Sequence, residues 1–110
     1  ICSEICFDND ICPQYKLPNI FTPDALCEGI PCLFRPYKYN FVESAEIFIY
    51  NRWGNLVFFT TNPDINWDGI NQQTKQKCVA GVYYYFCNIN EYTLKGISKR
   101  IITGSITLIR

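Results

Sequence analysis

Residues 49–59 read IYNRWGNLVFF. Two runs of β-branched and aromatic residues flank Asn51, Arg52, Trp53, Gly54 and Asn55. Such runs favour strands, and a short connection holding a glycine that tolerates positive φ favours a hairpin. Residues 45–52 and 56–61 are therefore expected to pair as antiparallel strands around Trp53-Gly54-Asn55. The corner has two readings. Packing alone would use Asn51 and Gly54 to shape the turn, Trp53 to cover the end of the core, and Arg52 to rest on an aromatic face. Alternatively, Asn51, Arg52, Trp53 and Gly54 form a docking surface, because Trp and Arg are enriched in binding hot spots and a rigid corner presents them well.

Working outward, residues 81–89 (GVYYYFCNI) read as an aromatic strand, and residues 100–109 as a closing strand with Ile102, Ile106 and Leu108 on one face. Tyr37, Tyr39 and Phe41 alternate with polar residues, which predicts a strand over 33–42 broken by Pro36. Pro18 and Pro23 suit an edge strand near 17–21, since proline cannot donate to a ladder. Residues 24–31, 62–69 and 71–77 read as loops, and 92–99 as a turn region with a short strand. No segment shows a helical period. Six to eight short strands separated by turn signals predict an all-β chain, an antiparallel β-sandwich of about seven strands with aromatics between two sheets. Residues 1–16 read as a Cys-containing linker and 17–110 as the domain.

The 110 residues suffice for one core, and 48% apolar content excludes a disordered tail. Ten basic and ten acidic residues cancel, which disfavours binding to a nucleic-acid backbone. The chain has no His, so the commonest general base and metal ligand is missing. It also has no Met and no secretory leader or apolar run of membrane-spanning length, and reads as the remainder of a longer precursor.

Seven cysteines stand at 2, 6, 12, 27, 32, 78 and 87, a density that points to an oxidising compartment. Their spacings are C-x3-C, C-x5-C, C-x4-C and C-x8-C rather than those of zinc sites, so disulfides are favoured. Cys78 and Cys87 are the only cysteines beyond Cys32 and are expected to bond to each other. Cys27 and Cys32 enclose a tight turn suited to a staple. Cys2, Cys6 and Cys12 are not assigned.

No triad, phosphate loop or singled-out carboxylate pair is present, and no catalytic activity is expected. Asp64-Ile65-Asn66-Trp67-Asp68-Gly69 matches the opening of a calcium loop, but its twelfth position is Lys75 rather than a bidentate Glu. The favoured reading is a turn in which Trp67 plugs the sandwich edge and Asp68-Gly69 makes the bend. No metal or cofactor is expected.

The order LPNIFTP (17–23), IYNRWGNLVFFT (49–60), NPDINWDG (62–69), GVYYYFC (81–87) and GSITLIR (104–110) resembles the gliding motility-associated C-terminal domain. This is the type B C-terminal sorting domain of type IX secretion in Bacteroidota. The likeness runs from about residue 12 to 110. It implies an immunoglobulin-like β-sandwich that directs an upstream cargo through the outer-membrane translocon to the cell surface or medium. It also implies a PorP/SprF-type outer-membrane barrel as partner, and Arg110 as the natural C-terminus. Relatives often carry cysteines matching Cys78 and Cys87, which adds to the expectation of a bridge. The chain departs from the family at 24–32, where relatives have an Asn/Asp/Gly-rich loop. On this reading Asn51, Arg52, Trp53, Gly54, Trp67, Asp68, Gly69 and Arg110 are the candidate partner-binding residues. A second reading is a surface adhesin or carbohydrate-binding module, which exposed coplanar aromatics would favour. In the closing strand, Lys95, Lys99, Arg100 and Arg110 read as solvated charges, while an exposed edge there would be able to add to a partner's sheet.

Overall fold

The computed structural model describes residues 15–27 and 29–110. The hairpin expected from residues 49–59 forms and anchors the sheet. Strand β4 (Val42–Tyr50) pairs antiparallel with β5 (Leu56–Thr60), and Gly54 takes φ 87° in the turn. The register shifts between Ile49 and Tyr50, leaving Val57 as an extra residue on β5. That bulge explains why the neighbours Val57 and Phe58 are both buried, although strand residues normally alternate between faces.

The strands earlier in the chain are short: β1 (Ile20–Phe21), β2 (Leu26–Cys27) and β3 (Ile30–Pro31). Those at the end are long: β6 (Gly81–Thr93) and β7 (Gly96–Leu108). The region 92–99, expected to be mostly turn, is the tip of this last hairpin. The described residues hold no helix. The main sheet has the order β1-β7-β6-β4-β5, and β2 and β3 form a separate small hairpin. β1 runs parallel to β7, so the main sheet is mixed.

The all-β expectation holds, while the sandwich is not confirmed among the described residues. The described residues form one open five-stranded sheet covered on one face by irregular chain, not two sheets face to face. The register places Ala45 opposite Ile89, Ile47 opposite Cys87, and Tyr83 opposite Ile106. These residues share the inner face and are buried with Ile49 and Leu108. Tyr15, Phe34, Ile65 and Trp67 complete the same core from outside the strands. Tyr15 belongs to the segment that the sequence reading assigned to the linker.

The segment 33–42 does not become a second-sheet strand. Phe34 makes only an isolated bridge with Trp67, through bonds of 2.8 and 3.2 Å. Pro36 has no N–H to continue a ladder, and Phe41 sits at φ 65°, outside the strand region. Tyr37 N–H instead donates to the Lys16 carbonyl, and Tyr39 Oη donates to Asp64.

Cys27 and Cys32 are joined, with Cα atoms 5.0 Å apart, and staple the β2–β3 hairpin. The expected Cys78–Cys87 bridge is absent, and both residues are buried thiols. The reason is strand geometry. Cys78 precedes β6, while Cys87 lies six residues beyond its start. That is about 20 Å of extended chain, far more than a disulfide spans. Cys2, Cys6 and Cys12 lie outside the described residues.

Candidate partner-binding surface

The candidate residues separate into two groups with opposite surroundings. The first is the β4–β5 corner. Asn51 Oδ1 accepts the Trp53 and Asn55 backbone N–H groups at 3.0 and 2.9 Å, and Gly54 N–H donates to the Asn51 carbonyl. The turn is thus held by one side chain acting as a backbone mimic. Trp53 is 66% exposed, so it does not cover the end of the core as packing alone would have required. Arg52 lies over its ring at 4.5 Å, a cation–π contact that holds both side chains together at the surface. Val79 and Val82 are exposed and line the same shallow depression beside Asn51, Arg52 and Trp53. The corner therefore presents an indole, a guanidinium and two valines on a rigid support.

The second group points inward. Trp67 is fully buried and touches Phe21, Phe34, Phe58 and Tyr83, with ring centroids 5.4–6.4 Å apart. Its Nε1–H donates to the Ile70 carbonyl, which satisfies the polar atom. Trp67, named among the candidate partner-binding residues, exposes no surface in this fold. It fills the centre of the core rather than plugging an edge. Asp68 Oδ1 accepts the Ile70 N–H, and Gly69 takes φ 82° with Pro23 and Arg110 packed where a side chain would stand.

Arg110 is also committed internally. Its guanidinium donates to the Cys78 carbonyl at 2.7 Å and the Gly69 carbonyl at 3.0 Å, and pairs with Asp24 at 2.8 Å. These bonds tie the end of β7 to three separate loops. The side chain, 17% exposed, clamps the fold. In the calcium-like stretch, Asp64 accepts from Tyr39, Asn66 from Arg35 and Asp68 from Ile70, so the three side chains serve different donors.

The loop-covered face is rich in groups held neutral. Burial raises the Tyr15 phenol well above its usual range, and Tyr15 donates to the Pro63 carbonyl. Burial and its bond to Asp64 push Tyr39 up to about 12. Burial together with the Cys78 thiol brings Tyr83 to about 12, and burial alone brings Cys87 to about 12. Cys78 is raised for the same first reason. These thiols favour the protonated form and are poor nucleophiles.

Two surface features add to what the sequence suggests, which is only an exposed edge of the closing strand. Phe48, Phe59 and Phe86 meet on the outer face, with centroids 4.9 and 6.2 Å apart. Their alternation with Ile47, Ile49 and Cys87 carries that signal, but the strand aromatics are expected between the two sheets of a sandwich. The second is the contrast between the two sheet edges. Along β5, Gln72 Oε1 accepts the Phe59 N–H, its Nε2 donates to the Phe59 carbonyl, and its backbone N–H donates to Val57. Gln72 closes that edge as a strand would. Among the described residues, β7 is covered by a strand only at Thr107 and Leu108, by β1.

The class defined so far is a small all-β domain with a one-sided core and a presented corner. The CHU_C Type IX secretion signal domain matches residues 15–108, most of the chain, and the chain belongs to that family. No curated protein and no solved structure matches it.

Proposed function

We propose that this domain is a C-terminal sorting signal read in its folded state by the type IX translocon, with a PorP/SprF-type outer-membrane barrel as partner. Its cargo lies upstream, and its destination is the cell surface or the medium. Membership in the secretion-signal family supports the sorting role. The observation that carries the recognition surface is Trp53, two-thirds exposed under a stacked Arg52 on a corner fixed by Asn51. Exposing a tryptophan forgoes about 1.5–3 kcal/mol of burial, so a folded role beyond packing accounts for it better. The domain acts by binding and not by catalysis.

The carbohydrate-binding alternative is less well supported. The outer-face rings of Phe48, Phe59 and Phe86 are inclined at 44° and 62° rather than coplanar, a poor platform for a flat sugar face.

The test is an export assay. Residues 1–110 are fused behind a periplasm-directed fluorescent reporter in a type IX-competent host and in a matched strain lacking the translocon. Reporter at the surface or in the medium of the competent strain alone is the expected result. Retention of the folded fusion in both strains contradicts the sorting role.

A further inference from the structure

The two edges of the main sheet are treated differently. Gln72 closes β5, whereas β7 has no strand beside residues 97–105 among those described. The direction of its free groups follows from the covered end. Thr107 N–H donates outward to the Asn19 carbonyl, and Ile109 N–H to the Phe21 carbonyl. Strand groups alternate, so the N–H and C=O of Ile97, Lys99, Ile101, Thr103 and Ser105 face the same way, away from β6. They form about 27 Å of open ladder.

Natural sheets commonly blunt such edges with bulges, prolines or covering chain. β7 has no proline, and it pairs with β6 without a register break from Gly96 to Leu108. Its remaining protection is charge. Lys99 is exposed on the edge and Lys95 is exposed at the tip. Arg100 is already bonded twice to Glu91, at 2.9 Å each. β7 itself carries no carboxylate. Ile97 and Ile101 flank Lys99 on the outer side and are 59% and 57% exposed.

Resting on the sorting role proposed above, we infer that the β7 edge receives an extended acidic segment of the secretion machinery by strand addition. The segment places a carboxylate beside Lys99 and apolar side chains beside Ile97 and Ile101. Main-chain bonds supply the affinity, and this apolar–basic–apolar pattern supplies the choice of partner. A second copy of the chain is a poorer occupant, because it would bring an equally basic edge with no carboxylate to meet Lys99.

Two variants of the full chain test the inference. Ile101→Pro removes an outward N–H without touching the β6 ladder. Lys99→Glu reverses the charge and serves if the proline variant fails to fold. Circular dichroism and melting confirm the fold of each. In the export assay, the wild type is expected to be exported and each folded variant to fall by about tenfold, the equivalent of one lost strong contact. In parallel, the purified chain is titrated with a blocked threonine peptide bearing valine, glutamate and valine at alternate positions. The amides of Lys99, Ile101 and Thr103 are expected to slow in hydrogen exchange.

Folded variants exported like the wild type overturn the edge inference and leave the sorting role intact. If the wild type itself is not exported, the sorting role fails in that host and the peptide arm alone decides the edge. Protection of the three amides then supports it, and unchanged exchange overturns it. Amides already protected before peptide is added, or a dimer that Ile101→Pro separates, overturn it in favour of coverage by this chain or a second copy.

Discussion

Trp67 follows a turn and Trp53 sits within one, both turns built by the same chemistry, and the two rings end in opposite places. Asn62 Oδ1 accepts the Asp64 N–H ahead of Trp67, as Asn51 Oδ1 accepts the Trp53 N–H. The first turn folds back across the inner face of the sheet, and its tryptophan is fully buried. The second projects beyond the end of β4 and β5, and its tryptophan stays in solvent. Local turn chemistry is thus indifferent to burial, which depends on where the sheet directs the turn.

The comparison can be broken most severely at Trp67. Trp67→Ala empties the centre of the core and is expected to cost about 3–5 kcal/mol, a large share of the 5–15 kcal/mol typical of a domain. Urea denaturation measures this, and a loss under about 1 kcal/mol would contradict the central role of the ring.

Alkaline titration addresses the same layer. Tyr39, Tyr83 and Cys87 are each pushed up to about 12 in the folded domain. Their unfolded values lie near 10 for tyrosine and 8.5 for cysteine. The unfolded chain therefore releases these protons first. The stabilising contribution is complete at neutral pH and is lost as pH rises from about 9 to 12. Melting across that range is expected to fall steadily, and Tyr83→Phe is expected to flatten part of the slope. A melting curve indifferent to pH over that interval would contradict the assignment.

At the exposed corner the effects are smaller. Asn51→Ala removes the acceptor of two backbone N–H groups and is expected to cost about 1 kcal/mol, read as a lower melting temperature. Trp53→Ala is the smallest in stability, within about 0.5 kcal/mol, because it removes an exposed side chain. Its expected effect is on export, which should drop while the fold is kept. A folded Trp53→Ala variant exported normally would remove the corner from the recognition surface. Acrylamide quenching offers a sharper optical test, with Trp53→Phe expected to leave only the shielded Trp67 emission.

Much of the local structure was legible in the chain. The β4–β5 hairpin, the positive φ of Gly54, the strand starting at Gly81, and the core positions Ile106 and Leu108 follow from residue pattern and turn chemistry. The Cys27–Cys32 staple follows from close spacing around a turn. The Cys78–Cys87 pairing failed because elimination among cysteines ignores distance, and an extended strand separates the two. Trp67 was legible as a buried residue at the sandwich edge but not as the centre of the core, and the internal bonds of Arg110 were not legible, because the sequence does not reveal which face a loop turns toward.

By itself, the sequence determined an all-β chain, its tight corner and its membership in the secretion-signal family, since these depend on short-range propensity and on the order of motifs. Only the tertiary structure decided that one sheet rather than two carries the core. Irregular segments from 15–19, 33–37 and 63–70 bring enough aromatic surface to cover a single face, and no periodicity in such segments announces it. It also decided which tryptophan is buried and which sheet edge is closed. Those outcomes depend on contacts between residues far apart in the chain, such as Gln72 with Phe59 and Arg110 with Asp24, Gly69 and Cys78.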